Sequence, residues 1–258
     1  MIDLKIPKIK FEVMSLEDNI EFIKWAYFEK EGVFSVQDFT IRLFPELSDI
    51  DKSFSKEEVY KIISDVVTKK YNSNLELISS EVTKYNNLWS DYNDKYFEEL
   101  SKYLCVDWPD NLDIIIAKIG LMPVFPRNLD DFSFFIGVGV DDWKLLQVCA
   151  HETLHFLWFE KWKQMYPETS REEFDSPHIV WQYSEMVTDP ILNNQPFSEM
   201  FEFIEHGYEE FYQMYDGDNL VMDDLRDIFS ENISLEEKIE KGYNYVKNYF
   251  EKEKIKTV

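Results

Sequence analysis

The chain of 258 residues holds four histidines, His151, His155, His178 and His206. Two of them fall in His151-Glu152-Thr153-Leu154-His155, an H-E-x-x-H sequence. On a helix, four residues rise about 6 Å and turn roughly 400°, so both imidazoles project from one face. Side chains so placed suit a single Zn²⁺. Glu152 is rotated about 100° from His151 and can reach a water on the ion without ligating it. Zinc would lower that water's pKa and polarise a carbonyl, with the carboxylate taking the proton. The helix is otherwise almost wholly apolar, so two imidazoles and a carboxylate on it need a compensating partner.

A zinc site of this kind takes three protein ligands and leaves a position for water. Glu185 is the best third ligand, 30 residues after His155 in Ser184-Glu185-Met186-Val187-Thr188-Asp189. Asp189 stands one turn further along the same predicted helix. It is expected to accept a proton from the outer ring nitrogen of a ligand histidine. His178 shares a face with Glu185 but lies about 10 Å from it, where it would border the site. An oxyanion needs a donor besides the metal, and among His206, Tyr208 and Tyr212 the choice is His206. Tyr183 should turn away from Glu185, and Cys149 reads as a small core residue.

Several elements must position these residues. Ser15 with Asp18 precedes a helical pattern in LEDNIEFIKWAYFEK, and Ser55 with Glu58 forms a capping box. Residues 73–104 lack Gly and Pro and predict one long helix or a helix pair. Ile114 to Ile119 and the segment FSFFIGVGV (132–140) read as strands, the second closed by glycines. Asp141 and Asp142 open a helix, apolar nearly all round from Leu145 to Phe159 and therefore buried, that carries the histidine pair. Ser176-Pro177 is expected to start the Glu185 helix and Pro190 to stop it. Phe197 to Tyr215 reads as a further helix ended by DGDN, and Ser234 with Glu237 caps a last one.

The sum is an α+β, predominantly helical chain with a small mixed sheet. A helical N-terminal region (1–107) would precede a catalytic core with C-terminal helices (108–258), with a single compact domain as the alternative.

His151-Glu152-Thr153-Leu154-His155 followed by Glu185-Met186-Val187-Thr188-Asp189 resembles the gluzincin pattern, the HExxH plus ExxxD arrangement of thermolysin-like metallopeptidases. The resemblance covers about residues 112–215 and implies a small zincin-like core. By that resemblance one zinc per chain is held by His151, His155 and Glu185. Glu152 is the general base and proton shuttle, and Asp189 lies behind the ligands. FSFFIGVGV would be an edge strand to which a peptide adds. Trp158 and Lys161 occupy positions where the extended H-E-x-x-H-x-x-G-x-x-H motif has other residues, which disfavours the metzincin alternative. The implied activity is peptide-bond hydrolysis. The rivals are a non-catalytic binding or regulatory protein that retains the zinc site, and a zinc hydrolase of a non-peptide substrate.

Charge bounds the partners. Lys and Arg number 27 against 51 Asp and Glu, a formal net charge of −24. Such a surface repels nucleic-acid phosphates and anionic lipid, and a cleft under its field favours basic or neutral peptides. No apolar run approaches the roughly 20 residues of a membrane span, and the first residues lack a secretory pattern. With two cysteines, Cys105 and Cys149, the expectation is a reduced cytoplasmic protein.

Overall fold

The computed structural model describes residues 5–29, 35–51 and 53–256. It is predominantly helical with a small mixed sheet, the α+β class expected from the sequence. Two compact units emerge, each assembled from separated stretches of chain: chiefly Pro7–Asn93 with Leu112–Val148, and Asp94–Asn111 with Cys149–Val258.

The first unit holds the sheet. Strand β1 (Lys8–Val13) leads into α1 (Leu16–Phe28) and α2 (Val36–Leu43), then α3 (Lys56–Ser90). Ser15 caps α1 by accepting from the Asp18 N–H, and Ser55 with Glu58 closes both bonds of its capping box at the start of α3. Strands β2 (Ile114–Gly120), β3 (Arg127–Asn128) and β4 (Ser133–Gly137) complete a sheet of order β1-β2-β4-β3. β1 and β4 run parallel to β2, and β3 runs antiparallel to β4.

At the β1 edge the N–H groups of Ile9 and Phe11 donate to the side-chain oxygens of Asn93 (3.1 Å) and Asn86 (3.2 Å). Side-chain amides thus occupy donors that would otherwise invite another strand. FSFFIGVGV is not an edge strand. The turn-rich segment before it folds back so that β3 pairs with β4, and the Phe135 N–H donates to the Pro126 carbonyl. A Cβ at Gly137 would lie 2.5 Å from Cα of Pro123, so only glycine allows this backbone approach.

The expected helix pair over 73–104 is the end of α3 and then α4 (Asn93–Leu104), which belongs to the second unit from Asp94 onward. Helix α5 (Asp142–Met165) is apolar on nearly every side, and Ala150, Leu154, Phe156, Leu157, Trp158 and Phe159 are all buried. Helix α6 (Ile179–Leu192) starts later than Ser176-Pro177 suggests, because its N-cap is His178. It also runs past Pro190, which sits in the last turn, where a proline costs less than in the middle of a helix.

The predicted helix over 197–215 does not form. Two short 3₁₀ turns, Phe197–Glu199 and Glu209–Gln213, flank an irregular run in which Ile204 and His206 are exposed and Glu205 is buried. The chain then makes a small hairpin, β5 (Tyr215–Asp216) with β6 (Asn219–Leu220), turned by Gly217 at φ +69°. Helices α7 (Val221–Ser230) and α8 (Leu235–Lys256) follow, the latter capped by Ser234 and Glu237. Among the described residues no helix is long and apolar enough to cross a membrane.

Candidate metal centre

His151 and His155 lie one turn apart on α5 and point their Nε2 atoms at each other across 3.1 Å. Glu185, from α6, closes the triangle: Oε2 is 3.2 Å from Nε2 of His151, and Oε1 is 3.5 Å from Nε2 of His155. The two ring nitrogens and the carboxylate thus converge on one point, as the ligands of a shared ion would. Tetrahedral Zn²⁺ with ligands at about 2.0–2.2 Å would separate neighbouring donor atoms by roughly 3.3–3.5 Å. The observed spacings lie close to that. Among the described residues this is the one group of His, Cys, Asp and Glu whose ligand atoms gather so tightly. Two imidazoles and a carboxylate fit zinc in both chemistry and spacing.

The surroundings are nearly dry. His155 and Glu185 are 0% and 2% exposed, and Glu152 is 6% exposed. Aromatic side chains build the wall behind them, with Phe159 lying 6.1 Å from His155 and stacked in turn on Phe174. Cys149 is a buried core residue whose thiol is held well above its usual range by burial and then by the charge of Glu152.

One residue was not found from the sequence. Glu205, 1% exposed, places Oε1 2.8 Å from Nδ1 of His151 and accepts the ring N–H there. This bond directs Nε2 toward Glu185 and His155. Burial alone would lower the pKa of His151, but the charge of Glu205 and hydrogen bonds to Glu185 and Glu205 outweigh it and hold the value well above the ordinary one. Glu205 was hidden in an apparently helical stretch of an acid-rich chain. The one available signal was Gly207 close behind it, a weak mark against a continuous helix.

Asp189 takes a different part from the one expected of it. It is 1% exposed, and its carboxylate accepts from Nε and Nη2 of Arg226 (2.9 and 2.8 Å) and from the Tyr212 hydroxyl (2.8 Å). The further turn of α6 carries Asp189 on to α7 and the 205–212 segment, and Glu205 serves the histidine instead.

His206 does not join the triad either. Its side chain is half exposed, its ring stacks on Tyr212 at 3.8 Å, and Nε2 meets Glu209 at 3.0 Å. Along this segment Glu205 is buried and its neighbour His206 is exposed, so the two side chains take opposite sides. His178 is exposed at the start of α6, and Tyr183 is buried with its hydroxyl donating to the Ile239 carbonyl.

Compared with protein-family models, with curated proteins and with solved structures, the chain matches none.

Proposed function

We propose that the chain is a zinc-dependent hydrolase of peptide bonds, with zinc held by His151, His155 and Glu185 and with Glu152 as general base. The observation that carries this reading is the convergence of the two Nε2 atoms, 3.1 Å apart, with the two Glu185 carboxylate oxygens 3.2 and 3.5 Å from them, on two buried helices. Bound zinc supplies Lewis acidity, activating a water and polarising the scissile carbonyl. The chain's own residues do the rest. Glu205 fixes the orientation of His151, and Glu152, next to it on α5, would take a proton from the attacking water and pass it to the leaving amine. Burial strengthens the electrostatic work of these groups. Three protein ligands leave a fourth position, the pattern of a catalytic rather than a structural zinc.

A second reading has its own support. Near-complete burial of His155, Glu185 and Glu205 suits a closed metal site that stabilises a binding or regulatory protein. Glu152→Gln separates the two. It keeps the ligands, so zinc content and fold should match wild type, while turnover in a peptide-library digest should fall at least ~100-fold if Glu152 is the base. Wild-type protein that carries zinc yet cleaves no peptide would favour the binding protein.

A further inference from the structure

A metal ligand is only as well placed as whatever holds its far side, and here that holder sits on a segment with no regular hydrogen-bond ladder of its own. Glu205 lies in the irregular run between two 3₁₀ turns, so its position must be set by side-chain contacts. Two sets of such contacts are present.

Asn193, at the C-terminal end of α6, grips the backbone of Glu205 from both sides. Its Nδ2 donates to the Glu205 carbonyl at 2.9 Å, and its Oδ1 accepts from the Glu205 N–H at 2.7 Å. The second set lies beyond Gly207. The Gly207 N–H donates to the Tyr212 hydroxyl at 3.1 Å, and that hydroxyl donates onward to Asp189 at 2.8 Å. Donor and acceptor capacity of the phenol are both engaged, which fixes its orientation. Asp189 is gripped in turn by the two-pronged Arg226, whose guanidinium also binds Asp223 at 2.7 Å and lies 5.7 Å from the Tyr212 ring centre. Gly207 itself passes close to α6, since a Cβ there would come within 3.4 Å of the Glu185 carbonyl. Helix α6 therefore places both Glu185 and the segment bearing Glu205.

We infer that Tyr212, Arg226 and Asn193 are positioning residues for the metal centre, acting through the 205–212 segment to hold the Glu205 carboxylate on Nδ1 of His151. None of the three touches His151, His155 or Glu185 in the contacts described above. This inference rests on the metal reading for its first measurement only.

The test is a double-mutant cycle between Tyr212→Phe and Glu205→Gln, read as zinc affinity by chelator competition. Tyr212→Phe removes one oxygen and leaves the ring on His206. Loss of partners that orient a metal-bound histidine costs about 10- to 100-fold in affinity. Each single variant should therefore bind zinc about 10-fold more weakly. The double variant should be no weaker than Glu205→Gln alone, because Tyr212 acts through that carboxylate. Arg226→Lys should restore part of what Arg226→Ala loses, which general damage to the fold would not permit.

Losses that multiply in the double variant, or wild-type affinity in Tyr212→Phe, would overturn the inference. A parallel measurement needs no metal: the ring ¹⁵N resonances of His151 in metal-free protein. Tyr212→Phe should shift them toward those of Glu205→Gln, and unshifted resonances would contradict the positioning role. If wild type takes up no zinc at all, the metal reading fails, while the resonance measurement still decides this one.

Discussion

In the proposed metal centre, proton and metal would compete for His151. Its ring is held between Glu205 on Nδ1 and Glu185 on Nε2, and these carboxylates outweigh burial to raise its pKa well above the ordinary value of about 6.5. The metal-free folded protein therefore keeps a proton that the unfolded chain releases. That proton contributes stability fully present below about pH 6.5, and the contribution is lost as pH rises through the raised folded value. Zinc bound as proposed would have to displace it. Uptake at neutral pH should release protons, and apparent affinity should rise with pH across this window. Titration calorimetry in buffers of different ionisation enthalpy reads the number released, and zinc binding with no release at pH 7 would show that His151 is neutral beforehand. The gathering of His151, His155 and Glu185 was legible from types and spacing because helix geometry fixes which side chains share a face. Glu205 was not, since its role depends on a contact 54 positions away in sequence with no local pattern.

Helix starts were the most readable elements. The Ser55 and Glu58 capping box, read from two residues, is present with both bonds, Glu58 N–H to Ser55 Oγ at 3.2 Å and Ser55 N–H to Glu58 Oε2 at 2.8 Å. Ser55→Ala should cost about 1 kcal/mol of unfolding free energy by urea denaturation, and an unchanged midpoint would mean that α3 does not depend on this cap. Strands β2 and β4 and the buried α5 also followed from their composition. The stretch 197–215 was misread because its aromatic and apolar residues keep a helix-like density. Its backbone instead bonds to the side chains of Asn193, just before the stretch, and Tyr212, within it, and these bonds override helix propensity. β1 escaped because KIKFEV is short, and its partner β2 lies more than a hundred residues away. β4 was mistaken for an edge because two-residue β3 gives almost no sequence signal.

Charge acts on the whole molecule. With a net −24, self-repulsion should weaken the folded state most at low ionic strength. Raising NaCl from about 0.01 to 0.2 M shortens the screening length from roughly 30 Å to below 10 Å. The melting temperature of the metal-free protein should rise over that range, and a flat or falling response would mean that local ion pairs, not net repulsion, dominate. Protein purified without added metal and analysed for zinc should hold about one equivalent per chain. Glu185→Ala and His155→Ala should lose it, since each removes one of only three ligands. A metal-free wild-type chain that also fails to bind added Zn²⁺ would contradict the assignment of His151, His155 and Glu185 as a metal centre.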